Sequence, residues 1–213
     1  MPPAGFGLGI RRSRISGTLA CAVILATCVF AQSAPDSFQV NYVANLAKGD
    51  SIINLTNAGS ISGTDPAGDI CANIYVLAPD QQLIECCSCP LTPNHLKSVS
   101  VVHDLAGNSV TPGFPDALTI ALIASPGATC DPSAPAGLAS GLRAWCTTVH
   151  AAPGGGSSVT ERAFLPAAAS AGEIGKLTGY CGFIRNNGSG YGICAKCEAG
   201  GTAETGGGGG IPQ

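Results

Sequence analysis

The sequence predicts a mainly β protein: an antiparallel β-sandwich of about seven strands, stapled by disulfides, with one C-terminal helix. Three observations predict it. Short runs in which apolar and polar residues alternate recur between turns marked by proline and glycine. Glycine (30) and proline (15) punctuate the 213 residues too often for long helices. Eleven cysteines lie in a chain that opens with an export-type leader, and exported thiols pair.

The elements follow in order. Ser37 to Val43 alternates with period two and places Phe38, Val40 and Tyr42 on one face. Gly49-Asp50 is a turn, and the β-branched run Ser51 to Thr56 is a second strand. Ile70 to Leu77 and Leu83 to Cys87 form a hairpin around Pro79-Asp80. Leu96 to Leu105, Ala117 to Ala124 and Leu142 to Ala151 complete the strands. Beyond Pro153, Gly154 to Gly156 reads as a flexible stretch. Ser170 and Glu173 then have capping-box spacing, and Ile174, Leu177, Cys181 and Ile184 share one helical face. A helix over Ala171 to Arg185 is expected, held by packing because Gly175, Gly179 and Gly182 weaken it by about 1 kcal/mol each.

Arg11, Arg12 and Arg14, an apolar run from Ile15 to Phe30 and the small residues of Val29-Phe30-Ala31 have the order of a secretory signal peptide. The expected division is 1–31 signal peptide, 32–152 β-sandwich, 153–199 helix and cysteine-rich extension packed on it, and 200–213 disordered glycine-rich tail. The expected location is extracellular or at the cell surface, with no membrane span after signal cleavage. Only 11% of residues are charged and 5% aromatic. All 13 acids but only 7 of the 10 bases follow the leader, so the remainder carries −6 and has no basic run. Electrostatics disfavour binding to nucleic acid or an anionic membrane surface, and no nucleic-acid partner is expected.

Cysteine carries the main chemical signal. Nine cysteines follow the leader: Cys71, Cys86, Cys87, Cys89, Cys130, Cys146, Cys181, Cys194 and Cys197. All are disulfide candidates, and an odd number leaves one over. Hairpin counting sets Cys71 opposite Cys89. Cys130 and Cys146 flank a proline-rich loop, and Cys181 has Cys194 or Cys197 within reach across the Asn-Gly loop. The alternative is metal: Cys86, Cys89, Cys194 and Cys197 offer four thiolates for zinc or an iron–sulfur cluster, although a CCxC half some 105 residues from a CxxC half is not knuckle spacing.

No catalytic constellation emerges, and no cofactor is expected. His103-Asp104 lies beside serines without a nucleophile-elbow motif. His103 and His150 read as structural, Trp145 as core, and the turn aspartates as turn formers, with Asp65 to Asp69 a marginal calcium loop. The polar, weakly charged surface is common in extracellular β proteins that work by contact. The strand bearing Phe38, Val40 and Tyr42 sits close behind the cleavage site, where it can pair with its own sheet or with the edge of a neighbouring copy. The second option gives a strand-donated polymer.

In Glu85-Cys-Cys-Ser-Cys-Pro90, in Cys181-Gly-Phe-Ile184 with Gly188-Ser-Gly-Tyr-Gly-Ile-Cys194, and across Asp36 to Asn57, the chain is similar to a group of uncharacterised secreted bacterial proteins. The resemblance implies no activity and no site residue. The functional expectation is a non-enzymatic extracellular structural protein, a filament or surface-layer subunit. The alternatives are the metal-binding module and a carbohydrate- or partner-binding sandwich.

Overall fold

The computed structural model describes residues 36–59 and 68–197. The expected signal peptide, Asp65 of the marginal calcium loop and the expected glycine-rich tail beyond residue 199 lie outside these residues. The described chain is a mainly β, sandwich-like arrangement of nine strands and one helix. The strands are β1 (Phe38–Ala44), β2 (Ile52–Asn57), β3 (Ile70–Leu77), β4 (Leu83–Leu91), β5 (Leu96–Ser100), β6 (Ala117–Pro126), β7 (Leu142–Ala151), β8 (Ser157–Ala163) and β9 (Leu165–Pro166), followed by α1 (Ala171–Asn186). All strand pairs are antiparallel. A five-stranded sheet has the order β4-β3-β6-β1-β9, and a four-stranded sheet the order β5-β2-β7-β8.

Alternation decides which residues enter the space between the sheets. Ile70, Ala72, Ile74 and Val76 of β3 meet Leu118, Ile120 and Leu122 of β6 in the core shared with Ile53 and Leu55 of β2 and Leu142 and Ala144 of β7. The opposite face of the five-stranded sheet is covered as well. There Phe38, Tyr75, Ala121 and Ile123 pack under Leu177, Cys181 and Ile184 of α1. Covered on both faces, β3 is a continuous buried run with only Leu77 partly exposed, the pattern of a central strand between two layers. The second layer also includes the segment after β6. Tyr75 Oη donates to Pro132 O at 2.7 Å, and Arg185 of α1 pairs with Asp131.

This doubly covered face hides polar side chains as a closed set. Asn73 Nδ2 donates to Ile123 O and to Ser125 Oγ, both at 2.9 Å, while its Oδ1 accepts from Ser88 Oγ at 2.8 Å. The trio stitches β4, β3 and β6 together side by side, and each member is buried. Satisfied in this way, the groups avoid the desolvation penalty that lone buried amides carry.

Four local expectations change. The run Leu96 to Leu105 is a strand only to Ser100 and continues as a π-helical turn over Val101–Leu105. Its start is capped by Ser100, whose Oγ accepts from His103 N at 2.8 Å, and Asp104 Oδ2 reaches back to Ser100 N at 2.7 Å. β4 runs four residues past Cys87 because its cysteines go on alternating between two covered faces. The glycines after Pro153 form a turn rather than a flexible stretch. Gly154, Gly155 and Gly156 all have positive φ, and Ala152 N donates to Gly156 O at 3.0 Å. That turn starts β8, which is exposed along its whole length and so lacks the burial-driven alternation that marks a strand in sequence. At Phe164, which is buried as a plug, the chain crosses from the four-stranded sheet into β9 of the five-stranded one, so sheet residues continue past 152. The helix has its expected face, and Ser170 Oγ accepts from Glu173 N at 3.1 Å.

Replacing Asn73 by Ala strands Ser88 and Ser125. We expect a loss of about 2–3 kcal/mol in denaturant unfolding, against less than about 1 kcal/mol for Asn54→Ala, whose side chain is only half-buried.

Candidate functional site

Covalent chemistry concentrates on β4. Cys86 points to the outer face and joins Cys181 of α1, with Cα atoms 5.8 Å apart. Cys87 and Cys89 point inward and join Cys194 and Cys197, at 5.6 and 4.7 Å. Cys71 of β3 joins Cys130 at 5.5 Å and pins the covering segment to the outer face. Four disulfides are the chemistry of an oxidising compartment. Among the described residues, no helix is long and apolar enough to cross a membrane.

The pairings favoured by counting along the sequence are corrected. Leu77 faces Leu83, as simple hairpin counting requires, but a bulge follows Val76. From there Cys71 faces Pro90, and Ala72 faces Cys89. One inserted residue exchanges the faces of everything beyond it, so Cys71 and Cys89 lie on opposite sides of the sheet. Cys130 does not meet Cys146, because Cys146 sits on β7 beside Ile53 in the inter-sheet core while Cys130 lies on the far side of the other sheet. Cys181 is taken by β4 and not by Cys194 or Cys197. The same alternation removes the metal alternative. Cys86 and Cys89 point to opposite faces, and Cys86, Cys89, Cys194 and Cys197 are each bonded to sulfur, which leaves no thiolate to ligate. Cys146 is the cysteine left over, a buried thiol whose ionisation burial pushes up to about 12.

The other singled-out residues scatter. His103 is exposed on the π-helical turn, and His150 Nε2 contacts Thr160 Oγ1 at 2.8 Å on the β7–β8 ribbon. Ser100 Oγ is engaged by Asp50, whose other carboxylate oxygen accepts from Val102 N at 2.9 Å, and Asp104 pairs with Lys196 at 3.6 Å. These groups cap a turn; they do not line up a nucleophile with a base. Trp145 is not core. It faces outward from β7, half-buried, and lines a cleft with Gln39, Arg143 and Phe164. Phe38, Val40 and Tyr42 do share a face, but they grade from buried under α1 to 63% exposed at Tyr42. β1 is paired with β6 over all seven residues and with β9 at Gln39 and Val40, so it is seated in its own sheet.

Two features carry no signal that counting along the sequence detects. One is a groove of about 960 Å³ between α1 and the β3–β4 turn, flanked by Tyr180 (58% exposed) and Phe183 (73% exposed) and ending on Lys176 and Asp80. The other is Glu85, a fully buried carboxyl at the β4 bulge. Its Oε1 accepts from Asn108 N at 2.6 Å, and its Oε2 has no hydrogen-bond partner. Burial raises its pKa to about 7, against the single lowering hydrogen bond from Asn108.

Comparison of the chain with family models, with curated proteins and with solved structures finds no match.

Alkylation of the unreduced, denatured protein should label Cys146 and none of the other eight cysteines among the described residues, while the folded protein stays unlabelled. Peptide mapping checks both. For Glu85 the folded pKa lies above the unfolded one, so unfolding releases a proton between the two values. Stability should therefore fall as pH rises from about 4.5 to about 7 and level off above that, by an amount on the order of 3 kcal/mol, with Glu85→Gln removing the slope. Thermal unfolding across this range provides the measurement.

Proposed function

We propose that the protein is an exported structural subunit that works by contact and assembles through the open edges of its four-stranded sheet. The observation that supports this reading is the unequal treatment of sheet edges. In the five-stranded sheet, β4 is flanked by the Gly192-Ile193 segment, with Cys86 N donating to Gly192 O at 2.9 Å, and β9 is only two residues long. In the four-stranded sheet, no strand lies beyond β5 or β8 among the described residues.

The ladder shows which backbone groups face outward. Ala152 N to Gly156 O at one end and Phe164 N to Ala144 O at the other turn the even-numbered residues of β8 toward β7. Ser157, Val159 and Glu161 therefore present their N–H and C=O groups to the open side. An unpaired strand of this length is a template for strand addition. Pairing β8 of one copy with β5 of the next extends one sheet from copy to copy, and such a head-to-tail contact gives a filament because it does not close. This differs from donation by β1, which is already seated. Export through the leader and a location outside the cell belong to the same reading.

A second reading, a partner-binding sandwich, is favoured by the groove beside α1. Its exposed Tyr180 and Phe183 stand three residues apart on one helical face.

Electron microscopy and sedimentation of the natively produced protein should show ordered polymers. Val159→Pro, which deletes one outward N–H at a 60% exposed position, should leave a folded monomer. A wild-type chain that stays monomeric at high concentration overturns the edge reading. Polymers that survive Val159→Pro but disappear in Phe183→Ala assign assembly to the groove instead.

A further inference from the structure

The β4 edge is closed by a clasp. Cys86 N donates to Gly192 O at 2.9 Å, Gly192 N donates to Asn108 O at 2.7 Å, and Val110 N donates to Ile84 O at 3.1 Å. Asn108 Nδ2 adds a bond to Gly190 O at 2.6 Å. Gly192 is required at the crossing. Its φ is +81°, and a Cβ there would lie 2.5 Å from both Ile184 Cγ2 and Val110 Cγ1. Two segments, 106–113 and 188–193, thus lie hydrogen-bonded over β4 with a glycine at their tightest point. The disulfides of Cys181 and Cys194 bound the second segment at both ends, so it can lift without the sandwich coming apart.

Glu85 lies under this clasp. Its Oε1 accepts from the backbone N–H of Asn108, the residue through which the clasp is tied, and its Oε2 is buried without a partner among the described residues. No cation faces it. From the π-helical turn, Asp104 is committed to Lys196 and His103 is exposed. From the second segment, Tyr191 is 59% exposed, and from β3, Tyr75 is on the outer face with its hydroxyl on Pro132 O. A neutral carboxyl fits this enclosure, whereas a carboxylate has one oxygen sealed from water with no compensating donor.

We propose that Glu85 is a proton-operated catch: with its carboxyl protonated, segments 106–113 and 188–193 are locked onto β4, and when it ionises they lift to let water reach the charge. The burial-raised pKa of about 7 sets the midpoint in the neutral range. The cleft of about 310 Å³ between these segments, lined by Asn108, Phe114 and Tyr191, is the part of the surface that the catch reshapes. The proposal does not depend on assembly through β5 and β8, which lie in the other sheet.

Amide hydrogen exchange on the disulfide-intact full chain tests it, at pH 5.5 and 8.5 after correction for intrinsic exchange chemistry. Protection at Cys86, Asn108, Val110 and Gly192 should fall by about ten-fold or more at the higher pH, while protection in β3 and β6 stays unchanged. Glu85→Gln keeps the acceptor for Asn108 N and cannot ionise, so its clasp amides should be equally protected at both values. Titration of the Glu85 carboxyl by carbon NMR in the wild-type protein should show a midpoint near neutrality. Equal protection of the wild-type clasp at both pH values, the same loss in Glu85→Gln, or a midpoint in the ordinary carboxylate range would each overturn the proposal.

Discussion

The fold depends on β4 being a strand whose two faces are both covered. A strand points successive side chains in opposite directions, so a run of cysteines on it fastens the sheet to whatever lies on each side. Cys86 ties the outer face to α1, while Cys87 and Cys89 tie the inner side to the chain that follows the helix. Three disulfides from four consecutive positions lock the helix and the segment that follows it against one strand. They close loops of 95 to 108 residues, the range in which a cross-link restricts the unfolded chain most. A weakly charged, glycine-rich chain with few aromatic residues has modest means of holding thin layers together, and this covalent hub supplies what a larger core would otherwise provide.

The same covering explains the polar interior. An outer sheet face exposed to water has no need to satisfy Asn73, Ser88 and Ser125 among themselves. Under the Cys130 segment they have no water, and they form a closed set. Glu85 does not share this closure. The bulge that places it in the interior leaves one carboxyl oxygen without a donor. Among the described residues, Ser51 Oγ and Glu85 Oε2 are the side-chain oxygens buried without a partner, and of the two only Glu85 is a carboxyl; it lies at the clasp that seals the β4 edge. The edges of the two sheets differ for a related reason: the chain after the helix is drawn to β4 by sulfur, and nothing among the described residues is drawn to β5 or β8.

Much of the fold was legible along the sequence because its cause is local. Ile70 to Leu77 and Leu142 to Ala151 announce themselves by composition and bounding turns, and Ser170 with Glu173 announces the helix start. β8 was not legible, because a strand exposed on both faces has no hydrophobic period to read. The end of β5 was hidden for another reason: the alternation of Leu96 to Leu105 continues through a segment that Ser100 and Asp104 cap into a π-helical turn. Trp145 beside a core cysteine looked internal, but adjacent residues on a strand face opposite ways, and it is Cys146 that points in.

The sequence by itself determined that the protein is mainly β, that a capped helix follows the sheets, and that the nine cysteines from Cys71 to Cys197 cannot all pair with one another. These follow from period, punctuation and parity, which need no knowledge of distant contacts. Which sulfurs pair, which face of each sheet is covered, where the open edges lie and how Glu85 came to be buried were decided only in three dimensions. For the faces of β3 and β4, and so for their sulfurs and for Glu85, the physical reason is the bulge after Val76. A shift of one residue in register exchanges the two faces of a strand, and its effect is fixed by partners that lie far away along the chain.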